Sequence, residues 1–547
     1  MRDLRPAVAG ILAAAAGVAA AELLASISRP QPGPVVAVGG AVIDAAPTPV
    51  KEFMVKYVGT YDKPLLLGGI AILLALYAAL AGRLGHRRLR YGLVAVALFG
   101  LVGAVAAIAR PAGRWYDIFP SLLGAAIAGA LLTLLLRLLT TATVAPTASV
   151  GSDTPAAAVD PAAAIDPLAA SSSTAGAPAA VASDTAVPPT VAAPAGGTGR
   201  RTFLQGAVAT AAGTALFGGA AYVVRGGGRM AAEKQRASLV LPRPASPAPS
   251  TPAGMGPGFY TRNSAFYRVD TALTTPRLDP DQWRLRITGM VSKPREFSLA
   301  ELLRRPLTER DITLNCVSNE VGGPYIGTAR WLGVPLATIL REVGIDPRAD
   351  QLVARSTDGM TIGSPVSAVI DGRDALLAVG MNGEALPFEH GFPVRMVTPG
   401  LYGYVGACKW VTELTLTTFA NFDAYWVQRD WAAQAPVKTA SRIDRPAPFG
   451  QLAAGTATIA GVAWAQHRGI SGVQVQVDDG PWQDAELLPT PSIDTWVQWR
   501  LSWQATRGSR RLRVRAIDKA GNMQVEKRAT PFPDGATGWH TVAVTVN

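Results

Sequence analysis

Apolar positions crowd the first quarter of the chain and thin out after it. Four nearly unbroken apolar stretches, residues 6–27, 64–82, 91–109 and 119–139, each approach the ~20 residues an α-helix needs to cross a bilayer. Polar residues inside them are few, and Arg137 lies near an end from which it can snorkel to the interface. The first stretch is long for the apolar core of a signal peptide and lacks a small-residue cleavage site, so it reads as an anchor. A shorter apolar run, 35–43, reads as a segment lying on the surface. Basic residues around these stretches set their direction. Arg2 and Arg5 precede the first, and Arg83, His86, Arg87, Arg88 and Arg90 separate the second from the third. The positive-inside rule places both groups, and with them the amino terminus, in the cytoplasm. The loop carrying Lys51, Lys56 and Asp62 is then outside.

Residues 1–140 thus form an expected four-helix membrane region. Residues 141–199 are mostly Ala, Pro, Ser, Thr and Val with no Lys or Arg, a composition that cannot bury enough to fold and reads as a disordered cytoplasmic linker. At 200–225 the pair Arg200-Arg201, then Phe203-Leu204 and a weakly apolar Ala/Gly run, resembles a twin-arginine export signal. The plain alternative is an ordinary fifth membrane helix with basic flanks. Such signals carry folded cargo, which implies a downstream domain that acquires a cofactor before crossing. Residues 226–258 read as a Pro/Gly-rich tether.

Beyond the tether the periodicity changes twice. In 259–450, Trp283-Arg-Leu-Arg-Ile-Thr-Gly alternates as a half-buried strand does. Ser298 followed by Glu301 is a capping box opening a short helix, and 334–343 reads as another helix. This mixture predicts an α+β domain. In 451–547, four alternating runs begin at Thr456, Gly472, Trp496 and Arg511 and are separated by turn residues such as Asp479-Gly480. They predict an immunoglobulin-like β-sandwich, one without the antibody-type disulfide because it holds no Cys.

Composition agrees with a membrane protein carrying a soluble domain. Of 547 residues, 49% are apolar and mean hydropathy is +0.22, while the net charge of +12 comes from only 16% charged residues. The basic residues form no dense runs interleaved with aromatics, so nucleic acid is not the expected partner. No P-loop or dinucleotide glycine motif occurs in the right strand–helix context.

The candidate chemistry is concentrated in three segments. The first is Phe259-Tyr-Thr-Arg-Asn-Ser. The second runs from Thr313-Leu-Asn-Cys316-Val-Ser-Asn-Glu to Ala329-Arg-Trp-Leu-Gly-Val. The third is Met381-Asn-Gly-Glu-Ala-Leu-Pro-Phe-Glu-His390-Gly-Phe-Pro-Val-Arg395, followed by Thr398-Pro-Gly and Lys409-Trp410. Cys316 and Cys408 are the two cysteines of the chain, too few for a disulfide scaffold, and a thiolate is a soft ligand for a redox metal. Arg395, Lys409 and His390 would converge on an anionic ligand.

Together the segments resemble the sulfite oxidase family of molybdopterin enzymes from residue 259 to the end. The resemblance implies molybdenum held by Cys316 and a pterin contacted by Arg262, Asn263, Ser264, His390, Arg395 and the Ala407-Cys408-Lys409 turn, with Asp358, Tyr267 and Arg268 as further contacts. It also implies that the trailing sandwich serves dimerisation. Cys408 could line the pterin pocket or pair with Cys316 as a disulfide. Glu320 departs from the family, whose sulfite-binding arginines follow the Cys loop. It either faces the substrate, alongside Arg262 and Cys316 as catalytic candidates, or points outward to a surface Arg. Trp stands where the family uses a tyrosine in the 425–431 stretch. A small sulfur substrate is expected, sulfite or a sulfoxide.

Bis-histidine haem ligation needs two histidines, and only His86 of the four lies near the membrane helices, so no haem is expected in this chain. A separate redox partner, quinone or cytochrome, is expected instead. The whole then reads as a multi-pass plasma-membrane oxidoreductase with its catalytic domain outside the cytoplasm. The alternative is a non-enzymatic surface binding module on a degenerate cofactor fold.

Overall fold

Five helices in the computed structural model are long and apolar enough to cross a membrane. The structure describes residues 4–28, 33–47, 50, 53, 54, 58, 62–110, 113–140 and 198–547. The expected linker falls almost wholly outside these, as do Arg2, Lys51 and Lys56. The long helices are α1 (Arg5–Ser28), α3 (Asp62–Arg87), α4 (Leu89–Ala109), α5 (Phe119–Thr140) and α6 (Thr198–Ser238), with the short α2 (Pro34–Ala45) between the first two. Small residues let them pack closely. A side chain at Gly10 would run into the carbonyl oxygen of Ala78 on α3, and one at Gly17 into that of Gly124 on α5.

Two expectations here need correction. The 35–43 run is not a loose surface segment but helix α2, which packs on α3 and α4. Its β-branched and Gly residues are tolerated because its apolar face is covered. The start of the expected tether is helical too, since α6 continues through Gly226, Gly227 and Gly228 to Ser238. The glycines each weaken a helix by about 1 kcal/mol relative to Ala. The helix formers of 229–237 follow, and Arg236 secures that end by donating to the Ala385 carbonyl at 3.0 Å.

The next region contains two sheets. One has the order β2 (Arg295–Ser298), β1 (Arg284–Gly289), β10 (Val411–Thr417), β5 (Gln351–Ser356), β6 (Thr361–Pro365). The other has β3 (Thr308–Asn315), β4 (Ile326–Pro335), β7 (Leu376–Met381) and β8 (Glu384–Ala385), with β9 (Arg395–Val397) also paired to β7. Helices α7 (Leu299–Leu303), α8 (Leu336–Val343) and α9 (Val366–Ile370) are short, and a further single turn, α10, spans Gly403–Gly406. The capping box forms as expected: Glu301 N donates to Ser298 Oγ at 3.2 Å, and Ser298 N donates to the Glu301 carboxylate at 2.7 Å. The helix expected from 334 begins later, at Leu336, because Val334 and Pro335 complete β4 against β7. Both sheets feed one core that includes Leu285, Ile287, Leu352, Leu377 and Leu414, all fully buried.

The carboxyl-terminal region is two facing sheets. Their orders are β11 (Ala440–Arg445), β13 (Gly455–Trp464), β17 (Val497–Ala505), β16 (Glu486–Leu487), and β12 (Gln451–Leu452), β19 (His540–Val546), β18 (Gly508–Asp518), β14 (Ile470–Val477), β15 (Gln483–Asp484). Their inward residues, among them Ile459, Val475, Trp499, Leu512 and Val544, form a shared core. This unit braces β3. Thr313 N donates to Asp494 O at 2.9 Å, Trp496 N to Thr313 Oγ1 at 2.7 Å, and Gln466 Nε2 to Thr313 O at 3.2 Å.

Candidate active site

Cys316 follows the last residue of β3, where the chain leaves the sheet and loops back into β4. The loop is cross-braced by its own backbone and by buried Asn319. Cys316 N donates to Tyr325 O at 2.9 Å, Asn319 N to Cys316 O at 3.1 Å, and Tyr325 N to Asn319 Oδ1 at 2.8 Å. The turn needs Gly322, at φ +81, where a side chain would strike the His540 ring of β19. The carboxyl-terminal sheets therefore hold both the strand and the loop that present the thiol.

The thiol faces a cavity of about 600 Å³. Tyr267, His390, Arg395, Ala407, Lys409 and Asp358 also line it, so the structure brings these expected site residues together with Cys316. Arg395 is the first residue of β9, His390 closes a 3-10 turn at Phe388–His390, and Lys409 directly precedes Trp410 and β10. Strand ends from both sheets thus converge on one space.

The charges in this space are unevenly matched. The Lys409 ammonium donates to Asp270 at 2.7 Å and to the Glu389 carbonyl at 3.1 Å. Burial lowers the Lys409 pKa and Asp270 opposes that, while Lys409 and Lys63 together hold the Asp270 carboxyl down at about 2 against its burial. Arg395 is only 5% exposed and lies 4.9 Å over the Trp331 ring. Its Nη1 donates to the His390 carbonyl at 3.1 Å, but its Nε has no hydrogen-bond partner and no carboxylate pairs with it among the described residues. Burial pulls its pKa down to about 10. A buried guanidinium left in this state calls for an anion. Ser356 Oγ, in the same cavity wall, is likewise buried and unpartnered.

His390 is neutral. Its Nε2 lies 2.8 Å from the Asn263 carbonyl, which only accepts, so Nε2 carries the proton and Nδ1 is left as an acceptor. Burial, with Arg395, Lys409 and Arg268 adding to it, pushes its pKa to about 4. Burial raises the Cys316 thiol, while hydrogen bonds from Ser318 and the charge of Lys409 favour the thiolate. A bound metal would complete that deprotonation.

Other expected residues lie elsewhere. Arg262, Ser264 and Arg268 are exposed on the segment before β1 and do not line the cavity. Asn263 acts through its backbone on His390, and its side chain is used in bonds to Glu384 at 2.6 Å and Asn382 at 2.8 Å. Cys408 is fully buried in the core beneath the sheets, so it neither lines the cavity nor bonds Cys316; both thiols are free. Ala407, Lys409 and Trp410 line the cavity, and Cys408 among them packs into the core. Glu320 lines a separate cavity of about 450 Å³ between this region and the carboxyl-terminal sheets, with Lys438, Arg468 and Asp518. Glu320, for which two placements were expected, does not line the cavity that Cys316 faces.

Three contributors had no clear signal in the sequence. Asp270 is an isolated carboxylate whose partners are 139 and 207 residues away. Ser318 and Trp426 line the cavity from within segments already singled out.

The donor set can be tested against a molybdopterin. Among the described residues no group of three His, Cys, Asp or Glu could hold a metal by itself. One thiol, one uncompensated buried guanidinium, a half-neutralised ammonium and an unpartnered hydroxyl suit a metal carried by an anionic organic chelate. The residues fit the group.

The comparisons with known proteins point the same way. Residues 272–426 match the model of the oxidoreductase molybdopterin binding domain. Sulfite oxidase of Mus musculus mitochondria is 29% identical over 341 residues, covering 53% of this chain and 62% of that protein. Sulfite oxidase of Gallus gallus is 29% identical over 334 residues, covering 52% and 72%. The crystal structure of the sulfane dehydrogenase SoxCD from Paracoccus pantotrophus, 26% identical, covers 53% of this chain and 82% of its own at a TM-score of 0.47. The chain spans under two thirds of the mouse protein's length. Residues 272–426 thus carry a molybdopterin-binding oxidoreductase domain, and about half of the chain is similar in sequence to sulfite oxidases.

Proposed function

We propose that this chain is a membrane-anchored enzyme whose 259–450 domain works outside the cytoplasm, exchanging an oxygen atom and two electrons with a small sulfur substrate, sulfite or a sulfoxide. The observation that carries this is the Cys316 thiol sharing one cavity with the uncompensated Arg395 guanidinium. Arg395 and Lys409 would grip the negative tail of the pterin, and Cys316 would ligate the metal. When bound, the cofactor supplies the two-electron oxygen-atom exchange. The protein's part is placement. Ser318 donates hydrogen bonds that favour the thiolate, His390 offers Nδ1 as an acceptor, and Tyr267 presents a hydroxyl beside the sulfur. With Glu320 in a separate cavity, no carboxylate from the Cys loop repels an anionic substrate, and sulfite and sulfoxide both remain open.

The topology has support from the helix ends. Lys63, at the start of α3, donates to Asp270 at 2.6 Å, and Tyr425 donates to Asp44 of α2 at 2.7 Å. The basic cluster of 83–90 lies at the opposite end of α3, a helix of 26 residues. At 1.5 Å per residue that separation is about 39 Å, more than a hydrocarbon core. Basic end inside therefore means catalytic domain outside. We also read the 451–547 sandwich as immunoglobulin-like and of the dimerisation type. The non-enzymatic alternative has no observation in its favour.

Metal and pterin analysis of purified full-length protein tests this reading. Wild type should contain both. Cys316→Ser should retain a folded protein and lose at least ~100-fold in activity, more than is typical for residues acting only through a ligand. Wild-type protein that is active without molybdenum would end the proposal.

A further inference from the structure

The cavity that holds Cys316 has a second wall, built by the membrane helices. Val42 and Ile43 of α2 and Leu66, Ile70 and Leu73 of α3 line it together with Arg395 and Lys409. We infer that the space under this apolar roof is a binding site for a membrane-borne quinone or quinol, which reaches the catalytic cavity directly from the bilayer. This rests on the reading of the cavity as a molybdopterin site and names its electron partner.

Three observations support it. The first is an apolar path. Gly69, Leu73, Leu76 and Leu80 are spaced i, i+4, i+7, i+11, so they share one face of α3. Gly69 and Leu73 line the cavity, and Leu73, Leu76 and Leu80 are exposed. The face therefore runs without interruption from the cavity to the lipid-facing surface of a helix long and apolar enough to cross a membrane. The second is free space. A side chain built at Gly69 would meet nothing within 4 Å among the described residues, although this glycine is in the cavity wall. The third is the way the roof is fastened. Its attachments are polar: Lys63 to Asp270 and to the Ala272 carbonyl, both at 2.6 Å, and Asp44 to Tyr425. They hold the helices over the cavity, with Lys63, Asp270 and Tyr425 forming part of its wall.

The chemistry of the walls favours a quinone over an acyl chain. The aromatic rings of Tyr267, Tyr425 and Trp426 line the cavity, and flat walls suit a flat ring. The Tyr267 hydroxyl makes no hydrogen bond among the described residues, leaving it as a donor for a ring oxygen. An apolar concavity with a few polar groups is the usual form of a small-molecule site. The exchange balances in either direction. Sulfite, water and a quinone give sulfate and a quinol; a sulfoxide and a quinol give a sulfide, water and a quinone. Two electrons and two protons move each way.

The test uses full-length protein in nanodiscs and an azido-quinone photolabel, competed with decylubiquinone. Saturable labelling of residues 42–43, 65–73 and 425–426 is expected, competed by decylubiquinone and not by added phosphatidylcholine. Gly69→Phe should fill the space and reduce labelling at least tenfold, with molybdenum and pterin content unchanged. Leu73→Ala, which keeps the helix apolar, should weaken labelling in the same direction. Absence of saturable labelling, equal competition by lipid, or labelling unchanged in both variants overturns the inference. Molybdenum and pterin content separates the two claims: cofactor present without labelling refutes the quinone site alone, and cofactor absent from active protein refutes the reading beneath it.

Discussion

Two imidazoles, one buried and one half-buried, govern how the protein should respond to acid. His390 is neutral with its Nε2 proton on the Asn263 carbonyl, and His540 is neutral because its Nδ1 accepts from Ile443 N at 3.0 Å. Burial is the main cause in each case, and nearby cations add to it, so both pKa values fall to about 4. In the unfolded chain both return to about 6.5. The folded form is therefore fully favoured above pH ~6.5, and stability is lost as pH falls toward ~4, by up to ~1.4 kcal/mol per pH unit for each proton. His390→Asn or His540→Asn should each remove about half of that slope in urea titrations run at successive pH values. A slope unchanged by either substitution would locate the acid sensitivity elsewhere. Asp270 acts in a lower window, between the ordinary carboxylate value and about 2. At this scale the sequence was legible where a motif recurs: Cys316, His390, Arg395 and Lys409 stand in ordered segments. It was misleading where adjacency stood in for direction, as at Cys408 and Arg262. It was silent on Asp270, because nothing local announces a partner so distant along the chain.

Among the elements, α3 has the most consequential attachment. Its first turn and the cofactor cavity share one carboxylate, since Asp270 bonds Lys63 and Lys409 together. Asp270→Asn would leave two ammonium groups, one of them buried, facing each other without an anion. Breaking a buried pair in this way costs about 3 kcal/mol or more. The expected result is a drop of that size in unfolding free energy, together with faster hydrogen exchange at the start of α3. Unchanged exchange there would mean that the link does not fasten the helix. The long helices, β1, the capping box of α7 and four of the carboxyl-terminal strands follow directly from period and cap. Of the strands missed, β12, β15 and β16 have two residues each, too few to show any alternation, whereas β11 and β19 alternate in burial over six and seven residues and were passed over. The start of α8 was misplaced because Val334 and Pro335 suit a strand end as well as a helix, and only pairing with β7 decides between them.

For the molecule as a whole, the proposed topology makes Arg200-Arg201 the determinant of where the catalytic domain ends up. Replacing both with Lys should leave the domain synthesised but inside, protected from protease added to intact cells and cleaved only after lysis. Protease sensitivity unchanged from wild type would show that this segment is an ordinary membrane helix. Overall architecture was readable in outline from composition and hydropathy, whereas the roofing of the cavity by α2 and α3 was not, because no single segment encodes a contact between an anchor and an enzyme. One further consequence follows from α6, whose 41 residues extend about 62 Å, twice the depth of a hydrocarbon core. The part beyond the bilayer ends with Arg236 docked on Ala385. Such a rod acts as a strut where a floppy leash was expected, setting the enzyme's standoff from the lipid. On the proposed topology, processing by a signal peptidase anywhere along it would free the enzyme to drift and tilt, so retention of the proposed export segment would be part of its alignment.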